Sequence, residues 1–154
     1  MKKISILLAA LLLLFGCNKG SDETVVSSDF FNTGCDRETR AGVDQDMESY
    51  LVLKYTSDGL EVTRSNALLN CAINNGGITC DVSIEGSVIH YSTYETSGEL
   101  LKCMCLVRTM SSRIRGLFLG SDYILDYSCG SGTRQKIPFT YSKDLYKVID
   151  LTIQ

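Results

Sequence analysis

The chain has 154 residues, seven cysteines, one histidine, no tryptophan and a formal net charge of −3. That length supports one modest core, so a single folded domain is expected. The acidic balance, with Arg108, Arg113 and Arg115 as the basic cluster, argues against a nucleic-acid partner, which needs clustered cations to neutralise phosphates.

Lys2 and Lys3 precede an apolar run from Ile4 to Phe15, and Cys17 follows the small residue Gly16. This is the three-part order of a cleavable secretory signal. About a dozen apolar residues fall short of the roughly twenty that cross a bilayer, so a spanning helix is not expected. Leu14-Phe15-Gly16-Cys17 resembles the lipobox of bacterial lipoproteins, although Phe15 is bulkier than the residue usual there. The resemblance implies that residues 1–16 are removed and that Cys17 is acylated, with palmitate among the chains. Each buried lipid CH₂ contributes about 0.8 kcal/mol and stable anchoring takes more than one chain, so multiple acylation would hold the mature N-terminus on a membrane. Removing Lys2 and Lys3 from the 15 basic residues leaves 13 against 18 acidic ones.

Asn18, Lys19, Gly20, Ser21, Asp22 and Glu23 follow the cysteine. Their mix resembles the surface-export signal of Bacteroidetes lipoproteins, and Asn18 fits outer-membrane sorting, with the membrane face left open. Residues 17–47 are rich in Ser, Asp, Glu, Thr and Gly and read as a lipidated flexible tether. Phe30, Phe31 and Cys35 are its points of possible attachment to the domain.

From residue 48 to 154 apolar residues alternate or form short runs, broken every few positions by turn residues. Strands are expected at 50–56, 60–66, 68–73, 78–84, 87–94, 101–109, 113–117, 122–128, 136–141 and 145–152. No segment of ordinary helix length keeps three-and-four spacing, so the class is all-β, a single antiparallel β-sandwich. Asn75-Gly76 suits a two-residue hairpin turn, which would set Ile73 opposite Ile78 and Cys71 opposite Cys80.

Further on, Leu117-Phe118-Leu119-Gly120-Ser121-Asp122-Tyr123 resembles the tyrosine corner of fibronectin type III and other immunoglobulin-like domains, where a strand-opening tyrosine returns its hydroxyl to nearby backbone. The resemblance gives Leu117, Gly120 and Tyr123 those roles and implies an immunoglobulin-like sandwich. Alternation puts Tyr123, Leu125, Tyr127 and Cys129 on one face. The lipobox, the Asn70-Cys71 and Cys103-Met104-Cys105 strands and this corner together resemble small lipoproteins of Bacteroidetes, a likeness that brings no activity with it.

With Cys17 assigned to lipid, Cys35, Cys71, Cys80, Cys103, Cys105 and Cys129 form an even set in an oxidising compartment. Disulfides are the expected state, with fifteen complete connectivities open. Cys103 and Cys105 face the same way and should each reach a neighbouring strand. Either Cys71 bonds Cys80, or Cys71 bonds Cys103 or Cys105 across the sheets. A four-thiolate metal site from Cys71, Cys80, Cys103 and Cys105 fits less well, because structural zinc prefers cysteines two to four residues apart on a turn. Buried inert thiols are the third reading.

Any triad would have to use His90, which shares a strand face with Val88 and Ser92. Glu85, Glu95, Glu99, Asp81 and Asp126 offer too many carboxylate pairs to single one out. The chain is therefore expected not to be an enzyme and to need neither cofactor nor metal. The leading expectation is a non-catalytic cell-envelope module of a surface assembly or adhesin, meeting an unknown envelope protein through a sheet edge or loop surface. The alternative is a glycan or small-ligand module for nutrient capture, with Tyr91 and Tyr94 as candidate contacts and Tyr50 and Tyr55 elsewhere.

Overall fold

The computed structural model describes residues 24–25, 29–39, 47–73, 77–97, 101–132 and 134–151, with Thr24, Val25 and 37–39 described as backbone only. The signal segment, Cys17 and the Asn75-Gly76 turn lie outside the described residues. The strands are β1 (Thr24–Val25), β2 (Asp29–Asn32), β3 (Arg37–Thr39), β4 (Tyr50–Thr56), β5 (Gly59–Asn70), β6 (Ile78–Glu85), β7 (Val88–Glu95), β8 (Met104–Ile114), β9 (Asp122–Cys129), β10 (Gln135–Thr140) and β11 (Tyr146–Asp150). They form two sheets, β1-β6-β7-β9-β10 and β11-β4-β5-β8-β2, with β3 also on β8. The protein is an all-β sandwich.

Period-two patterning builds the interface between the sheets. Leu51 and Leu53 of β4, Leu60 and Val62 of β5, Ile89 and Tyr91 of β7 and Leu125 of β9 are buried while their sequence neighbours mostly face outward. Full burial of each such side chain stabilises by about 1.5–3 kcal/mol.

Two expected breaks are absent: 60–66 and 68–70 are one strand, β5, which ends before 71–73, and 104–109 joins 113–114 in β8, which starts after 101–103 and stops before 115–117. At Asn66 the backbone turns to φ +53°, a conformation that asparagine tolerates better than most residues. Leu60 and Val62 before it point inward on even positions, and Ala67 and Leu69 after it on odd ones. Facing them, β8 changes phase too, from Met110 and Ile114 to Cys105 and Val107. The double change of phase imitates a strand break in sequence while the ladder continues. It also divides the core, because Ala67, Leu69, Cys105, Val107 and Met110 form a second apolar cluster.

The expected Cys71–Cys80 hairpin does not form: β5 and β6 lie in different sheets, so 71–77 is a crossover. Nor is every pair antiparallel, since β7 and β9 run parallel, with Tyr91 beside Tyr127. Strand β8 and the loop after it separate them in sequence, and the chain changes sheet twice on the way. The segment expected as a flexible tether contributes three strands. Phe30 packs against the second cluster, Asp29 pairs with Arg113 in register, and Cys35 is bonded to Cys105.

Tyr123 is buried, stacks on Phe139 at 6.0 Å and accepts a hydrogen bond from the Phe118 N–H at 3.1 Å. Leu117 packs partly against the core, and Gly120 adopts φ +81°.

Candidate functional site

Cys71 is bonded to Cys103 and Cys35 to Cys105. Asn70 is opposite Met104, so Cys71 and Cys103 meet within one sheet, at the open end of the β5–β8 ladder, rather than across the two. That bond withdraws two of the four sulfurs a metal site would have needed. Cys80 and Cys129 lie outside both disulfides. Register places them on either side of buried Thr93, on the inner face of one sheet. They are two strand spacings apart, about 9–10 Å, too far for a bond to each other.

Between the sheets, Ser112 donates to the Tyr91 hydroxyl at 2.9 Å, and Tyr91 stacks on Tyr127 with ring centroids 5.7 Å apart. Burial pushes both phenols well above the ordinary tyrosine range, with neighbouring Cys80 and Cys129 adding to the effect. Tyr91 is 1% exposed and offers no ring face to a ligand, so its assignment as a ligand contact is corrected. The alternation that made it a candidate also makes it a core residue. Tyr94 does reach solvent, and its hydroxyl donates to Asp81 at 2.6 Å. The two tyrosines, on opposite faces of β7, make no common platform.

The outer face of the β6-β7-β9 sheet carries a polar constellation. Asp126 is buried although it points away from the core, because Arg134 and His90 close over it. Arg134 Nε donates to Asp126 Oδ1 at 2.6 Å, and His90 Nδ1 lies 3.2 Å from Oδ2. The other imidazole nitrogen faces Glu85 at 3.8 Å. Next along the strands, the hydroxyls of Ser92 and Ser128 bond each other at 2.9 Å. A histidine beside a buried carboxylate resembles two-thirds of a triad, but the serine nearest in sequence bonds another serine. Parallel pairing of β7 with β9 sets His90 beside Asp126, which the sequence could not announce, and Arg134 enters from a loop with no motif of its own.

On the opposite sheet, a hollow of about 180 Å³ is lined by Asp29, Phe31, Glu61, Ser111, Ser112 and Arg113. Small-molecule pockets usually measure about 300–1,000 Å³. Around it the outer face carries a ladder: Tyr146, Lys54, Glu61, Arg113 and Asp29 are successive neighbours across five strands, with charges alternating in sign.

That ladder ends at β11, an edge strand. Tyr55 N–H bonds the Leu145 carbonyl and Leu151 N–H the Ser49 carbonyl, so the odd positions of this stretch bond β4. In an antiparallel pair the alternate residues then turn their N–H and C=O the other way. Tyr146 and Val148 therefore present backbone groups to the open side, and among the described residues no strand pairs there. Their side chains are 67% and 51% exposed. Lys147 bonds the Pro138 carbonyl at 2.6 Å, tying β11 to β10 and holding the edge in place. Comparison with family models, curated proteins and solved structures finds no match for this chain.

Proposed function

We propose that this protein is an exported lipoprotein, anchored to the outer membrane through acylated Cys17, whose β-sandwich is a non-catalytic interaction module of a cell-envelope assembly. The open edge of β11 carries this reading. It offers a row of outward backbone groups beside exposed Tyr146 and Val148, the elements that strand addition uses for affinity and side-chain selection. Soluble proteins usually blunt such an edge with proline, inward charge or a cover. Here β10 carries Pro138, while β11 has no proline and uses one such device, Lys147 turned inward to the Pro138 carbonyl, leaving the outward positions Tyr146 and Val148 uncharged. Two disulfides support an address outside the cytoplasm, where such bonds persist.

The test places a photocrosslinker at position 146 of the full chain in its native envelope, with and without Val148→Pro. Proline removes an outward donor that β4 does not use, so the fold should survive, as circular dichroism and a thermal midpoint would check. A discrete adduct that disappears with Val148→Pro is the expected outcome. An adduct insensitive to Val148→Pro, or none at all, would refute strand addition at this edge.

A further inference from the structure

We infer that the loop joining β8 to β9 is a membrane-contact tip: Phe118 and Leu119 seat in the surface of the same lipid bilayer that holds the N-terminal anchor. The inference rests on the reading of Cys17 as acylated.

Phe118 and Leu119 are 75% and 51% exposed, neighbours at the apex of a loop. Ordinarily an apolar pair would fold back onto the sandwich, but this apex is held out. Phe118 N–H bonds the Tyr123 hydroxyl, Ser121 N–H bonds the Phe118 carbonyl, and Gly120 N–H bonds the Tyr141 carbonyl at 2.8 Å. Tyr141 N–H returns to the Ser121 carbonyl at 2.9 Å. The loop thus pays its ordering cost before any contact is made, which is the property a docking tip needs.

The path of the N-terminus says what the tip meets. Thr24 is opposite Ile84, Ile84 opposite Ile89 and Ile89 beside Leu125, so all four share one row across the sheet. Val25 is opposite Ser83, one step further from the β6–β7 turn, so the Thr24 end of β1 faces that turn. Ile124 N–H bonds the Ser87 carbonyl, which sets that turn beside the start of β9 and the base of the loop. Asp29 enters β2 at this end too, bonded to Arg115 at 2.5 Å. Six residues separate Cys17 from Thr24. Seven fully extended steps reach about 24 Å. Asp122 lies three residues beyond the Leu125 row, about 10 Å nearer the membrane, with the loop apex beyond it. The anchor therefore holds this end of the sandwich within about 14 Å of the bilayer, so contact by the apex requires less than full extension. The exposed edge of β11 runs along the side of the sandwich and remains available.

The chain contains no tryptophan, so Phe118→Trp creates a single fluorescent reporter at a site exposed enough to accept it. Leu101→Trp is the control, because Leu101 is 41% exposed and bonded to Asn70, at the opposite end of β5 from the Leu60–Ile114 pair. Each full-length acylated variant is reconstituted in phosphatidylethanolamine–phosphatidylglycerol vesicles, floated on a density gradient and titrated with bromine-labelled acyl chains. Expected is blue-shifted, strongly quenched emission at position 118, little quenching at 101, and loss of the difference when Leu119→Glu is combined with Phe118→Trp. Equal quenching at 118 and 101 in floated protein would overturn the contact while leaving the anchor standing. Failure to float, with Cys17 unmodified by intact mass, would overturn both.

Discussion

Removal of the Cys35–Cys105 disulfide should cost the fold more than any other single cross-link. In the chain-entropy description, closing a loop of n residues contributes about 2.1 + 1.5R ln n in entropy units of cal/mol/K. The sequence separation of 70 gives about 4.4 kcal/mol at room temperature, against about 3.7 kcal/mol for the separation of 32 at Cys71–Cys103. The smaller loop is nested within the larger, so with Cys71–Cys103 intact the path from Cys35 to Cys105 shortens from 70 by 32 to about 38 residues, and the first figure falls to about 3.9 kcal/mol. Cys105 is fully buried, so the double variant Cys35→Ala with Cys105→Ala also loses a little packing. Urea unfolding of the oxidised protein and of the variant should therefore differ by about 4–5 kcal/mol. The loss should also have an address. Cys35 lies between β2 and β3, so its release should expose residues 29–39 to protease before the sandwich opens. Reductant should weaken the parent protein by at least as much and weaken the variant further, through Cys71–Cys103. A difference below about 1 kcal/mol, with unchanged proteolysis, would refute the role given to this bond in pinning the N-terminal strands.

Three other outcomes follow from single sites. Gly59→Ala should destabilise by roughly 2 kcal/mol or more by urea unfolding, because Gly59 has φ +140° and an added Cβ would meet the Ile114 carbonyl oxygen at 2.3 Å. Tyr123→Phe should cost about 1 kcal/mol with the fold retained, since it deletes only the hydroxyl that holds the Phe118 N–H; the same titration reads it. Alkaline unfolding should begin above about pH 10, where unfolded tyrosines ionise while burial keeps Tyr91 and Tyr127 protonated. The unfolded chain then binds fewer protons than the native one, so stability is full below that pH and falls above it by up to about 1.4 kcal/mol per pH unit for each phenol. Tyrosinate absorbance that rises together with loss of the sandwich signal would show it, whereas titration of all eight tyrosines within the folded state would contradict it.

Much of the sandwich was legible because alternation is a local signal. Tyr123, Leu125 and Tyr127 of β9 read as one face from sequence and are one buried face in the fold. The bond between the Phe118 N–H and the Tyr123 hydroxyl is equally local, since the two residues are five apart. What sequence hid depends on partners distant in the chain. Asn75-Gly76 is a sound hairpin turn on local grounds, yet whether the strands around it join one sheet or two depends on what covers their inner faces. Cys71 pairs with Cys103 because β5 lies beside β8, and His90 meets Asp126 because β9 returns parallel to β7. The polar composition of 17–47 reads as a tether, but Phe30 and Cys35 suffice to fasten part of it. Neither the exposure of β11 nor that of Phe118 can be deduced from residue type, because Val148 and Phe118 would suit a core equally well.

These placements bear on how one small domain could serve an anchor and a partner at once. The N-terminal strand departs at the end of the sandwich that holds the Phe118 loop, while the open edge of β11 lies along its side, bounded by the ladder that runs from Tyr146 to Asp29. A strand added to β11 would lie antiparallel or parallel to it and so run toward or away from the end that carries the Phe118 loop. Its pairing need not displace Phe118 or Leu119. Anchoring and strand addition are then geometrically independent, and Val148→Pro should leave the quenching of a tryptophan at position 118 unchanged. If that substitution altered both, the two surfaces would be coupled through the loop from Tyr141 to Leu145, which touches each of them through the Gly120–Tyr141 and Tyr55–Leu145 bonds.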